Sequence, residues 1–145
     1  MSKSEQYLSA LDEKGLFVSS GHKTRFKELV DCYGAYPFFT KGLCKCMYLS
    51  AWDEEHFCIM LEMLMCMSLG QETSVGDMRI NGDRMAENQK DAQVHIYYLS
   101  NAFLDNEPFH LDENADIPAD IRYIIERALL ASQAIDELPE PPQPL

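Results

Sequence analysis

The sequence is poor in basic side chains, with 12 Lys and Arg residues against 24 Asp and Glu, and its formal net charge is −12. Proteins that bind nucleic-acid phosphates normally present a basic face. Anionic membrane surfaces attract basic segments for the same electrostatic reason. The composition therefore predicts neither direct nucleic-acid binding nor binding to an anionic membrane.

Long apolar runs are also missing. Residues 57–69 form an apolar run of 13 residues, interrupted only by Glu62 and Ser68, whereas a membrane-spanning helix needs about 20 residues. Residues 1–15 contain no apolar run after Lys3, so no secretory signal is predicted. The cysteines number five, and an odd set inside apolar segments is typical of reduced thiols. These features predict a cytoplasmic protein.

The familiar catalytic motifs do not occur. The sequence contains no Gly-rich phosphate loop, no Gly-x-Ser-x-Gly elbow and no His-Glu-x-x-His pair, which are the patterns that nucleotide-binding proteins, serine hydrolases and zinc proteases require. No cofactor is predicted.

Helical periodicity is what the sequence does contain. Apolar residues recur at helical spacing, for example at Ile121, Ile124, Ile125 and Ala128. We predict helices at about residues 3–14, 24–33, 37–49, 51–69, 83–104 and 116–138. No strand is predicted. A chain of 145 residues suits one domain, so we expect one compact all-α bundle of five to six helices over residues 1–138. Residues 139–145 are rich in proline and should form an extended tail.

The segment at residues 51–69 is predicted to be the buried central helix. Ser50 is a plausible N-cap, and Asp53 places a negative charge in the first turn. A helix that is apolar on nearly every side usually lies in the middle of a bundle. Its methionines would suit the core, and part of them would also suit a contact with a second copy of the chain, so a homodimer is a further prediction.

Acidic residues are concentrated in the second part of the chain. Residues 1–50 hold seven basic and five acidic side chains, a net charge of +2, whereas residues 51–145 hold five and 19, a net charge of −14. The candidate interaction surface consists of Asp105, Glu107, Asp112, Glu113, Asp116 and Asp120. This pattern favours a non-enzymatic interaction or regulatory protein that binds a basic surface of another protein. A sharper version is an inhibitor that imitates nucleic-acid charge, and a solvated surface that serves solubility is the simpler explanation.

The alternative hypothesis is a metal-dependent or thiol enzyme with a site between helices. Asp53 and His56 lie three residues apart, Asp91 and His95 lie four apart, and Glu62 interrupts an apolar run. Neither a zinc pattern nor a complete di-iron pattern results, because each needs a second set of ligands. We therefore predict no metal site. The weak candidate ligands are His56, Glu62, Asp91 and His95. The five cysteines are the candidate residues for a thiol enzyme.

Overall fold

The computed structural model describes residues 3–37, 39–69, 94–109 and 116–138. Within these ranges the chain forms six helices and no strand, which confirms the prediction of an all-α bundle. The helices are α1 Lys3–Glu13, α2 Ser20–Tyr33, α3 Lys41–Ser50, α4 Glu54–Ser68, α5 Val94–Asp105 and α6 Ala119–Asp136.

Three helices begin at a side chain that accepts a hydrogen bond from the backbone amide three residues later. These N-caps are Ser19 for α2, Thr40 for α3 and Asp53 for α4. The predicted start of a helix at Ser50 is therefore wrong, because Ser50 is the last residue of α3. Several residues near each boundary could cap a helix, and the hydrogen bond to the first-turn amide decides which one does.

The central helix is α3, and the predicted position at residues 51–69 is wrong. Every residue from 43 to 50 is buried, and α3 contacts α2, α4, α5 and α6. In contrast, α4 buries one face, formed by His56, Met60, Leu64 and Met67, while the side chain of Met65 is 48% exposed. An apolar composition shows that a helix can be buried, but the number of helices packed around it decides whether it is.

Gly42 allows α3 to approach α5 closely. A Cβ atom at this position would lie 2.5 Å from the carbonyl oxygen of Phe103 in α5, closer than real Cβ contacts. Glycine inside a helix costs about 1 kcal/mol relative to alanine. Here that cost is offset because the two backbones can pack directly against each other.

Two lysines of α3 bind the C-terminal end of α6. Lys41 Nζ donates to the carbonyl oxygens of Asp136 and Leu138. Lys45 is 6% exposed, its Nζ atom lies 2.8 Å from Asp136 Oδ1, and it also lies over the Phe103 ring. Positive charge is favourable at this end of a helix, where the last carbonyls lack helical partners. The contacts join α3 to α6.

Some predicted segments lie outside the described residues. These are residues 70–93, which include Asp91 and the first part of the helix predicted at residues 83–104, together with residues 110–115 and the tail at residues 139–145. Among the helices that are described, none combines the length and the apolar character that crossing a membrane would require.

Gly42→Ala should destabilise the protein by about 1–3 kcal/mol, because the added methyl group forces α3 and α5 apart. Urea unfolding at neutral pH measures this change. Gly21→Ala is the matched control, since its Cβ would meet only the guanidinium end of the Arg25 side chain. Equal stability of Gly42→Ala and the wild type would contradict the close packing of α3 on α5.

The Lys45–Asp136 pair should respond differently to the loss of each partner. Asp136→Ala leaves the buried Lys45 ammonium without its carboxylate and should cost about 1–3 kcal/mol. Lys45→Met removes the buried ammonium group and keeps an apolar side chain of similar length. Asp136, which is 57% exposed, stays in contact with water. The free energy of unfolding should therefore change by less than about 1 kcal/mol. Urea unfolding of both variants tests this asymmetry, and equal losses would contradict it.

Candidate functional site

His56 is fixed by the residue that caps its own helix. Asp53 Oδ1 accepts hydrogen bonds from the backbone N–H of His56, at 2.8 Å, and from the ring Nδ1, at 2.7 Å. A carboxylate can only accept, so Nδ1 carries a proton. In the neutral ring the other nitrogen, Nε2, then has a free lone pair, which is the arrangement found in histidines that accept protons or bind metals.

The imidazole of His56 is buried. The residue is only 5% exposed, and its ring centroid lies 5.7 Å from the Trp52 ring and 5.9 Å from the Tyr97 ring. Its Nε2 atom is a buried side-chain nitrogen without a hydrogen-bond partner among the described residues. Leaving such an atom unsatisfied costs about 1–3 kcal/mol, so the atom calls for an explanation.

A small cavity lies beside His56, between α3, α4 and α5. Its volume is about 50 Å³. The apolar part of its wall is formed by Ile59, Met60, Met63, Ile96 and Leu104, and the remaining wall by Cys46, Ser50, His56, Tyr97, Ser100 and Asn101. A mainly apolar wall with a few convergent polar groups is typical of a small-molecule site.

The other reactive side chains of the cavity are held in their neutral forms. Burial raises the pKa of the Cys46 thiol far above its usual range, and its Sγ donates to the Ser100 carbonyl oxygen at 3.3 Å. Burial, with the nearby charges of Glu55 and Asp53, also raises the pKa of Tyr97. Cys46 is therefore a thiol and not the thiolate that nucleophilic attack requires.

The cavity does not contain a hydrogen-bonded Ser–His–Asp chain. Ser50 and Ser100 line the cavity together with His56, but neither hydroxyl group hydrogen-bonds to His56 Nε2. A serine nucleophile is normally activated by such a bond to the base. The arrangement is suited to accepting a hydrogen bond from a molecule in the cavity.

In His22, unlike His56, both ring nitrogens have hydrogen-bond partners. It is fully buried, its Nδ1 accepts from the Val18 backbone N–H at 3.2 Å, and its Nε2 lies 2.7 Å from the Tyr48 carbonyl oxygen, to which it donates. Burial lowers the pKa of His22 to about 4, with a smaller contribution from Arg25 and an opposing one from the Tyr48 hydrogen bond. Both ring nitrogens are satisfied, so His22 is a structural residue.

The other candidate ligands do not join His56. Glu62 is exposed on α4, His95 is half-buried on α5 beside Tyr98, and Asp91 lies outside the described residues. All five cysteines lie among the described residues, and none of them forms a disulfide bond. Within the described ranges, no three His, Cys, Asp or Glu side chains come together in a way that could hold a metal ion.

The exposed carboxylates form the second candidate region. Asp105, Glu107, Asp116 and Asp120 are exposed, while Asp112 and Glu113 lie outside the described residues. Glu107, Asp116 and Asp120 form no ion pair with any residue that the structure describes.

Many basic side chains, in contrast, contact groups of the same chain. Ion pairs are formed on the surface by Lys14, Lys23 and Lys27, and by the buried Lys45, and backbone carbonyls are bound by Arg25, Lys41 and Arg127. Seven basic side chains therefore have partners within the chain, whereas Glu107, Asp116 and Asp120 have no ion-pair partner among the described residues.

Sequence reasoning found His56 and Asp53 but missed the cavity residues Ser50, Tyr97, Ser100 and Asn101, which carry no recognisable motif. One usable signal was present, since an acid that caps a helix lies within reach of the side chain three residues later. Comparisons of the chain with protein-family models, with curated proteins and with solved structures found no match. The evidence for function is thus the geometry of the side chains.

The burial of His22 predicts a loss of stability in acid. Its folded-state pKa is about 4, below the ordinary histidine value of 6.5, so the unfolded chain takes up the proton first as the pH falls. The contribution of the neutral His22 to the free energy of unfolding is complete above about pH 6.5. It decreases by about 3 kcal/mol as the pH falls towards 4. Urea unfolding between pH 7 and pH 4.5 measures it.

His22→Gln should be less stable than the wild type at pH 7. Because glutamine takes up no proton, the difference in the free energy of unfolding between the two proteins should shrink as the pH falls through this range. His95→Gln is the control, because it leaves the buried His22 in place. The same pH dependence in His22→Gln as in the wild type would show that His22 is not the group responsible.

Proposed function

We propose that the protein is a non-enzymatic interaction or regulatory protein that binds a basic surface of another protein through its acidic C-terminal half. One observation carries the proposal: seven described Lys and Arg side chains are engaged within the fold, while Glu107, Asp116 and Asp120 are exposed and without ion pairs to described residues. The five free cysteines suit a cytoplasmic location.

Charge complementarity supplies the physical basis. Opposite charges accelerate the encounter of two proteins and select the correct partner. Exposed charges are screened beyond about 8 Å at physiological ionic strength, so the interaction should weaken as salt is added. A second copy of this acidic chain is disfavoured at the same surface, because like charges would face each other.

A narrower form of the proposal is an inhibitor that imitates nucleic acid. Such a protein would occupy the basic groove of a nucleic-acid-binding enzyme without binding nucleic acid itself. The support is the excess of carboxylates over cations in the second part of the chain. This form makes one prediction that the broader proposal does not make. Nucleic acid and this protein should compete for the same basic groove of the partner.

The alternative, a metal-dependent or thiol enzyme, has one favourable observation, the Asp53–His56 pair beside a cavity. The raised pKa of Cys46 opposes a thiolate mechanism at that place. Glu62 and His95 lie outside the cavity wall, so they do not support a shared metal site there. We therefore rank the interaction function first.

The test starts from partners captured from cell extract and continues with one purified partner. Its Kd, measured by fluorescence anisotropy, should rise at least tenfold between 50 and 300 mM NaCl. Asp116→Asn/Asp120→Asn should raise the Kd about tenfold. The control Glu13→Gln/Glu28→Gln, which changes the net charge equally through exposed residues of α1 and α2, should change it less than twofold.

Equal effects of the two double variants, or a Kd that does not depend on salt, would contradict binding through the acidic half. Adding a 20-base-pair duplex DNA to the purified complex tests the narrower form. Release of the partner supports imitation of nucleic acid, whereas an undisturbed complex would exclude it and leave the broader proposal standing.

A further inference from the structure

The unsatisfied Nε2 atom of His56 and the adjacent cavity belong together. Asp53, which binds Nδ1, is not part of the cavity wall, whereas His56 is. The ring nitrogen that remains for an occupant of the cavity is therefore Nε2, a buried atom without a hydrogen-bond partner among the described residues. Buried polar atoms are nearly always hydrogen-bonded, either within the protein or to a bound molecule.

We propose that the cavity between α3, α4 and α5 binds a small, largely apolar molecule that donates one N–H or O–H hydrogen bond to His56 Nε2. This site is separate from the acidic surface, and the inference does not depend on the interaction function. The donor requirement applies to the neutral ring, in which the Asp53 carboxylate holds the proton on Nδ1 and leaves Nε2 as an acceptor.

The size of the cavity limits the occupant. One water molecule needs at least about 10–15 Å³ of such space, and the cavity offers about 50 Å³, so a compact molecule of about five heavy atoms is the expected size. Met60 and Met63 can change conformation to widen the space. Five of the eleven wall residues are only partly buried, so a ligand, or the end of a longer one, can enter the cavity: Ile59, Met63, Ser100, Asn101 and Leu104.

The chemistry of the wall disfavours other ligand classes. An anion would lie near the carboxylates of Glu55 and Asp53, whose charges already act on Tyr97. A metal ion would find one imidazole and a protonated thiol, and the described residues offer no group of three ligands. Five apolar side chains of the wall instead favour a mainly apolar molecule, with His56 selecting its donor group.

Pyrrole and furan are a suitable pair of probes, because the two five-membered rings have nearly the same size and differ in polarity. Pyrrole offers an N–H donor, whereas the furan oxygen can only accept and would face the lone pair of Nε2. Titration of the full-length protein, followed by NMR of the labelled ¹⁵N atoms of its histidines, gives both Kd values. We expect pyrrole to bind about tenfold more tightly than furan.

The same spectra identify the atom involved. Pyrrole should shift the Nε2 resonance of His56, while both nitrogen resonances of His22, whose hydrogen bonds are internal, should stay in place. His56→Leu should remove the preference for pyrrole and retain furan binding. His95→Leu is the control, because His95 is not in the cavity wall, and it should keep the preference.

Three results would overturn the proposal: no binding of either probe up to its solubility, equal affinity for both, or pyrrole binding without a shift of His56 Nε2. The last result would mean that the probe binds without a hydrogen bond to this atom. The wild-type spectra decide between these outcomes even if His56→Leu does not fold.

Discussion

The enclosure of α3 by four other helices is the constraint on which the structure depends. A helix of ten residues with a buried segment from 43 to 50 can be surrounded only if its neighbours come close, and Gly42 permits this against α5. The same helix supplies Cys46 and Ser50 to the cavity. It also provides the Tyr48 carbonyl oxygen that receives the His22 hydrogen bond. The position of α3 among its neighbouring helices thus determines both the packing of the core and the wall of the candidate ligand site.

The charge distribution follows from the same arrangement. Lys41 and Lys45 extend from α3 to the end of α6, and Arg25 of α2 binds the carbonyl oxygens of Ala51 and Trp52, just after α3. Cations that stabilise helix ends are not available to neutralise carboxylates elsewhere. Glu107, Asp116 and Asp120, near the end of α5 and the beginning of α6, are exposed and form no ion pair with a described residue.

The two histidines of the core show how one residue type serves two purposes. The main chain binds both nitrogens of His22, and burial then makes the neutral ring a stable part of the core. Among the described residues, a partner exists for only one nitrogen of His56, and this partner is the aspartate that caps α4. The difference lies in which polar groups the fold places around each ring, since both residues are buried to a similar degree.

Local pattern was sufficient for the helices and for part of the candidate site. The spacing of Ile121, Ile124, Ile125 and Ala128 identified the inner face of α6, and all four are buried. The predicted end of the second helix at residue 33 agrees with the end of α2 at Tyr33. The interval of three residues between Asp53 and His56 was also visible in the sequence, but the N-cap was predicted at Ser50, and the structure makes Asp53 the cap.

Only the tertiary structure decided which helix is central and what surrounds His56. The apolar run at residues 57–69 was more conspicuous than α3, yet α4 buries one face. Burial depends on how many helices contact an element, and that number is set by distant parts of the chain. Tyr97, Ser100 and Asn101 reach the cavity from α5, far away in sequence. The sequence by itself determined the helical character, the acidic charge and the three-residue spacing of Asp53 and His56, since these depend on near neighbours. The cavity and its unsatisfied nitrogen arise from contacts between helices, which no local pattern encodes.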